Sequence, residues 1–382
     1  MSEFIPSDIS LFKTAPKKRQ KTNGNGHGIG SEFVELIAAK SIVPTNIDWL
    51  WEYWLAKGKI HIIAGAPGTG KTSIALGFAA AVSCAGCWPD GSEAPLGKVL
   101  VWTGEDDLSD TLIPRLMVMG ADLNRIHFIG RTGSDENLRA FDPAKDMDLV
   151  VPEIKRLGGV SLFILDPIVS VVSGDSHKNT EVRKGFGPLV DLATVTDCAV
   201  LGITHFSKGT QGKDPVERIN GSVAFGAIAR IGMAAIRQQK EDGQDVRMLI
   251  RSKANCAPDT GGFAYDLFFE PLTDHPHITA MGVRWGNRVE GTAREILEEA
   301  EEMNGEEREN GRHAVGKWLR TYLTRAGRPV SYQKILRDAI EEGFSKNTLY
   351  RAWASLRKAL KKEGIPFTSQ HGLWGIGEED DF

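Results

Sequence analysis

The sequence predicts an α/β protein: a mostly parallel sheet covered by helices on both faces, followed by a small unit of three helices and a hairpin. Three observations carry this. Short unbroken apolar runs alternate with amphipathic stretches over residues 34–289, as strands buried on both faces require. A glycine-rich turn follows the first of these runs and opens a helical pattern. A charge block over 290–310 then separates a last stretch, 311–382, of different composition. With 382 residues, 41% hydrophobic and 25% charged, the chain suits two or three domains. Collagen-like, mucin-like and wholly disordered chains are excluded.

Residues 1–33 read as a disordered basic tail, poor in apolar residues, with Lys17, Lys18, Arg19 and Lys21 grouped. The opening residues lack the basic-then-apolar pattern of a secretory signal. No run reaches the roughly 18 apolar residues of a membrane span. Four cysteines do not make a disulfide scaffold. The expectation is a cytoplasmic protein without a membrane partner. Cys84 and Cys87 form a CxxC with no second pair, and read as two small residues at a helix end. The net charge of −4 means that any nucleic-acid contact must come from local patches.

The strands are predicted over 59–65, 98–104, 125–130, 160–166 and 198–205, with helices over 72–84, 108–120, 146–158 and 187–196 between them. The run SVAFGAIARIGMAAIRQ reads as a helix, and the segments after it as antiparallel edge strands. The span 34–289 is one domain, 290–310 an acidic linker or helix with nine acids and two arginines, and 311–382 a second domain.

The turn Gly65-Ala66-Pro67-Gly68-Thr69-Gly70-Lys71-Thr72 fits GxxxxGK[ST] between a predicted strand and a predicted helix. Such glycines let backbone N–H groups surround phosphate oxygens, and the helix N-terminus, continuing into Ser73, adds positive potential. Lys71 is expected on the β- and γ-phosphates of ATP, and the Thr72 hydroxyl on Mg²⁺. Asp166 ends the apolar run SLFILD, where open sheets place their ligand crevice, and suits the second Mg²⁺ anchor. Glu105, first after the strand in GEDD, suits the base that activates water. Asp106 and Asp107 compete for that role, since any of the three can cap the next helix.

These residues resemble the RecA-type superfamily, and within it the RepA-type hexameric replicative helicases of plasmids and phages. The matching pieces are GAPGTGKT (65–72), GEDD (104–107), LFILDP (162–167), GITHFSKG (202–209) and NGSVAFGAIAR (220–230), within residues 45–290. The resemblance implies a RecA-like P-loop NTPase core, ATP and Mg²⁺ as cofactors, a bacterial host cytosol and a homo-oligomeric, hexameric ring. It implies that Glu105 is the catalytic glutamate and that His205 senses the γ-phosphate. It implies that Arg230, on the helix after the fifth strand, is an arginine finger for a neighbour's nucleotide. Arg251 and Lys253, in RSK, resemble paired basic residues pointed at the same neighbouring ATP. Arg115 is a candidate for stacking on adenine.

Two polar stretches follow Asp166 and His205. The first carries Lys178, Arg183 and Lys184; the second carries Lys208, Lys213 and Arg218. The resemblance implies that they line a ring channel and contact single-stranded DNA, and lysine-bearing loops suit backbone tracking. In the last domain, three helices and a hairpin follow the winged helix-turn-helix order. Leu349, Trp353, Leu356 and Leu360 mark its buried stripe, leaving Lys346, Arg351, Arg357 and Lys358 mostly on the outer face, as for duplex DNA. A small protein-interaction domain is the alternative. The resulting expectation is an ATP-dependent, DNA-translocating helicase. A DNA-binding ATPase that does not unwind is the alternative, and a small-molecule kinase has no need of Glu105 with His205.

Overall fold

The computed structural model describes residues 36–134, 137–176, 178–207, 218, 223–239, 245–344, 346–369 and 372–376. The chain divides into two units: Met1–Arg237 with Val246–Glu298, and Gln238–Asp245 with Glu299–Phe382.

In the first unit a short hairpin, β1 (Trp49–Trp51) and β2 (Leu55–Ala56), leads into β3 (Ile60–Gly65) and α1 (Lys71–Cys84). Then come β4 (Val99–Thr103), α2 (Ile113–Val118), β5 (Ile126–Phe128) and an exposed hairpin, β6 (Arg131–Ser134) with β7 (Asn137–Ala140). They are followed by α3 (Val150–Arg156), β8 (Leu162–Asp166), α4 (Asn179–Thr196), β9 (Ala199–His205) and α5 (Val223–Ile228). The unit closes with β10 (Ile231–Gln239), β11 (Asp245–Ala254), β12 (Thr260–Pro271), β13 (Thr279–Thr292) and the start of α6 (Ala293–Ala326).

One nine-stranded sheet runs in the order β13-β12-β11-β10-β3-β9-β8-β4-β5. The six strands from β10 to β5 are parallel, whereas β11–β12 and β12–β13 pair antiparallel. Side chains alternate across it. Ile60, Ile62 and Ala64 of β3 join one core with residues of α3, α4 and α5. Ile63 joins the other core with residues of α1 and α2 and the rings of Trp51, Trp54 and Trp88. Burial on both faces is why these strands read as unbroken apolar runs.

Two expectations are corrected. The run 222–238 is not one helix: it splits at Arg230 into α5 and β10, and β10 lies parallel to β3 inside the sheet. A strand buried on both faces has no alternation to betray it, so periodicity alone cannot tell it from a buried helix. The polar stretch 173–185 is a loop only in its first part, because α4 starts at Asn179, well before the expected 187. Of the two alternatives for the acidic block, linker or helix, the structure shows the helix from Ala293 onward, as part of α6.

The second unit holds the end of α6, β14 (Val330–Ser331), α7 (Tyr332–Glu341), α8 (Lys346–Glu363), β15 (Phe367–Thr368) and β16 (Leu373–Ile376). Its sheet runs β14-β16-β15, all antiparallel. Leu349, Trp353, Leu356 and Leu360 of α8 pack with Leu319, Leu323, Ile335 and Trp374 in a core of its own. The strand β14 was not anticipated; two residues leave no period to read.

Candidate functional site

The register of the sheet decides which side chains meet. Gly65 at the end of β3 pairs with His205 at the end of β9, and Thr103 at the end of β4 pairs with Asp166 at the end of β8. These four strands are neighbours. Their C-terminal ends bring the glycine-rich loop, His205, Asp166 and the GEDD turn to one rim, where open α/β sheets form their ligand crevice.

The loop between β3 and α1 is built around glycine. A Cβ at Gly65 would stand 2.4 Å from the Ala235 carbonyl oxygen of β10. Gly70 has φ +85°, and a Cβ there would meet Leu267 at 2.8 Å. Gly70 is also the residue before α1 and offers no side chain to cap it. The first-turn N–H groups, at Lys71, Thr72 and Ser73, are therefore left for an anion. Lys71, only 6% exposed, donates to the carbonyls of Gly65 (3.1 Å) and Ala66 (3.0 Å). Burial pulls its pKa down, and the carboxylates of Asp166 and Glu105 act against that. A terminal phosphate is the natural replacement for those two carbonyls. Thr69 donates its hydroxyl to the Ala66 carbonyl, while Ser73 is buried and its hydroxyl makes no hydrogen bond.

Thr72 Oγ1 donates to Asp166 Oδ2 at 2.7 Å. Burial pushes the Asp166 carboxyl up to about 6; the Thr72 hydrogen bond opposes this, and the charges of Glu105 and Asp106 reinforce it. Two hard oxygens facing each other in a buried, negative corner fit Mg²⁺, which Thr72 and Asp166 would hold. The His205 Nδ1 lies 3.3 Å from Lys71 Nζ. Partial burial and then the Lys71 charge lower the His205 pKa, so its ring is neutral beside the lysine.

The three acids of GEDD have different partners. Asp107 caps the turn Leu108–Leu112 by accepting from the N–H groups of Ser109 and Asp110. Asp106 pairs with Arg115 at 3.3 Å. The Glu105 carboxylate has no hydrogen bond or ion pair among the described residues; only its backbone is tied, its N–H donating to Thr103 Oγ1. Arg115, a candidate for adenine, is thus engaged with Asp106.

The cations expected to act on a neighbour lie elsewhere. Arg230 is not on a helix but at the turn between α5 and β10, exposed, its N–H donating to the Ile60 carbonyl at 2.8 Å. Ile60 begins β3 and Gly65 ends it, so about 17 Å of strand separates Arg230 from the phosphate loop. The Asn255 N–H bonds the Arg230 carbonyl, which brings the end of β11 to this same side. Arg251 stacks over Trp54 at 4.7 Å and donates to the carbonyls of Thr260 and Tyr53. It lines a cleft of about 460 Å³ with Arg288, and neither guanidinium has a carboxylate partner among the described residues. Lys253 does not share that cleft: its ammonium donates to the carbonyls of Gly226 and Ala229 at the end of α5.

Of the expected DNA contacts, Lys178 is exposed at the start of α4, and Arg183 and Lys184 are exposed on α4 itself. Arg218 is 7% exposed, its guanidinium 4.7 Å over the Phe206 ring and its carbonyl bonded by the Ser207 N–H. It is a buried cation packed on Phe206 rather than a solvent one. Lys208 and Lys213 lie outside the described residues. On α8, Lys346 and Lys358 are exposed and Arg357 is half-buried near Ser369; the side chain of Arg351 lies outside the description. Cys84 ends α1 and donates to the Ala80 carbonyl; Cys87 lies beyond the helix.

Sequence reasoning missed Tyr265, whose hydroxyl donates to the Thr69 carbonyl inside the phosphate loop. It also missed Arg288 beside Arg251. Both come from long-range strand pairing in a region that carries no motif.

Residues 31–211 match a family model described as an AAA domain. No curated protein matches the chain. The matched stretch contains the phosphate loop, Glu105, Asp166 and His205, and stops before Arg230 and the strands β10 to β13. Together with the mostly parallel sheet and the rim geometry, the match supports a P-loop ATPase with a RecA-like core.

Proposed function

We propose that this ATPase is a DNA-translocating motor, a RepA-type replicative helicase that couples ATP hydrolysis to movement on single-stranded DNA as a hexameric ring. The observation that carries the reading is the separation of Arg230 from the phosphate loop of its own chain. Arg230 is exposed, without an ion pair among the described residues, and a strand's length from Lys71. An arginine so placed has no part in its own site and is available to a neighbouring subunit's nucleotide, where it would stabilise the charge of the transferring phosphoryl group.

In this reading Lys71 exchanges the carbonyls of Gly65 and Ala66 for the β- and γ-phosphate oxygens. Thr72 and Asp166 would hold Mg²⁺, which would supply charge neutralisation at the phosphates. Glu105, unencumbered at the rim, accepts the proton of the attacking water. His205, neutral and next to Lys71, hydrogen-bonds the γ-phosphate. Its strand leads to Phe206, over which the Arg218 guanidinium lies, so a change at His205 would act on that contact.

The second reading, a DNA-binding ATPase that does not unwind, is favoured by the C-terminal unit. Its order of helix, strand, helix, helix, strand, strand supports a winged-helix reading of this unit. Exposed Lys346 and Lys358 on α8 suit duplex phosphates. The deciding experiment measures ATP turnover with and without single-stranded DNA on a sample of known mass, and then strand displacement on a forked duplex. The helicase reading expects DNA-stimulated turnover by a ring and displacement of the strand. Stimulated turnover without displacement favours the second reading, and hydrolysis by a stable monomer indifferent to DNA contradicts both.

A further inference from the structure

We infer that Tyr265 is a positioning residue of the ATPase site, one that turns the Gly70 N–H of the phosphate loop toward the bound nucleotide. The inference rests only on the P-loop ATPase reading, not on any role with DNA.

Tyr265 is 2% exposed, in the middle of β12, and its hydroxyl donates to the Thr69 carbonyl, 196 residues away in sequence. The peptide joining Thr69 to Gly70 is trans and planar, so its carbonyl and its N–H point in opposite directions. Holding the carbonyl against β12 aims the Gly70 N–H away from β12, into the loop. A glycine at φ +85° has wide freedom to rotate this peptide, and no side chain of the loop restrains that carbonyl. The Thr69 hydroxyl is spent on the Ala66 carbonyl instead. The restraint therefore comes from outside the loop.

The same strand supplies a second support. Leu267, two residues on and so on the same face of β12, fills the space where a Cβ of Gly70 would stand. The Tyr265 ring is itself fixed: Trp285 of β13 packs on it at 5.8 Å, and Trp285 stacks on Phe78 of α1 at 5.7 Å. Burial pushes the Tyr265 pKa up, so the hydroxyl keeps its proton and remains a donor. None of these side chains but Phe78 lies in the matched AAA domain, which ends at residue 211. A phosphate-loop motif is thus held in its conformation here by a hairpin that lies outside the matched stretch.

Because an oriented N–H binds phosphate alike in the ground state and the transition state, losing it acts on KM and not on kcat. Tyr265→Phe keeps the ring and removes only the donor. ADP affinity by calorimetry, which needs neither a ring nor DNA, is expected to fall about three- to tenfold, the range one hydrogen bond supplies. KM for ATP should rise by the same factor, with kcat within about twofold and the melting temperature within a few degrees. Leu267→Ala, which leaves the hydroxyl in place, should weaken ADP in the same direction and keeps the test open should the first variant fold poorly. A Tyr265→Phe protein with unchanged ADP affinity, or one whose only change is a lower melting temperature, overturns the inference. So does a loss confined to kcat.

Discussion

The two ends of the same parallel sheet carry opposite chemistry. At the C-terminal ends of β3, β9, β8 and β4, acids, a lysine and a histidine crowd together, and burial moves their pKa values, Lys71 and His205 downward and Asp166 up to about 6. At the other end is Arg230, just before β10, while Arg251 and Arg288 share a cleft lined by β11, β12 and β13; none of the three has a carboxylate partner among the described residues. Among the described residues, the first end gathers the groups suited to phosphate and metal with no unpaired arginine, and the second carries Arg230 with no phosphate-binding loop. Two half-sites a strand's length apart cannot complete each other within one chain, and on the reading proposed above they do so between chains.

The largest expected effect sharpens the first end. Glu105→Gln should still bind ATP but hydrolyse it about a hundredfold or more slower, as expected on losing a general base. Asp106→Asn, whose parent carboxylate is already engaged by Arg115, should stay within about tenfold of wild type in the same assay. The opposite ranking would move the base to Asp106.

Between the two ends His61 sits in β3, fully buried, its Nε2 accepting the Ala56 N–H and its Nδ1 donating to the Val200 carbonyl. Burial lowers its pKa from 6.5 to about 4. Between those values the unfolded chain binds a proton that the folded chain refuses. Stability from this group is therefore complete above pH 6.5 and declines as the pH falls toward 4, by up to about 3 kcal/mol. Urea midpoints measured from pH 8 to pH 4 should show that decline, and His61→Gln should flatten it. An unchanged slope would mean that another group dominates.

A smaller effect separates Lys253 from the arginines near it. If its work is to hold the carbonyls that end α5, Lys253→Met costs about 1 kcal/mol and a few degrees of melting temperature, with turnover within about threefold. A hundredfold loss of turnover at unchanged stability would return it to the nucleotide.

Much of the first end was legible in the sequence because it is local. The phosphate loop announces itself by spacing, and Asp166 and His205 each end an apolar run, so strand polarity alone gathers them at one rim. Glu105 could not be separated from Asp106 and Asp107 by spacing. The separation came from partners, Arg115 and the N–H groups of Ser109 and Asp110, that only the fold supplies. The second end was less legible. Arg230 was expected on a helix because β10, buried on both faces, has no alternation. Arg218 looked like a loop cation, although its guanidinium lies buried over Phe206. Tyr265 and Arg288 belong to strands whose register, not their sequence, sets what they touch.

The complementarity of the two ends is tested most directly by mixing two inactive proteins. Lys71→Ala removes the phosphate-binding half and Arg230→Ala the arginine half, and the loss of a finger costs on the order of a thousandfold in rate. Assembled together, some interfaces would pair an intact phosphate loop with an intact Arg230. The account predicts that ATP turnover reappears in the mixture, partial and rising with protein concentration. Two inactive variants that stay inactive at every mixing ratio, or an Arg230→Ala protein with full activity, would contradict it.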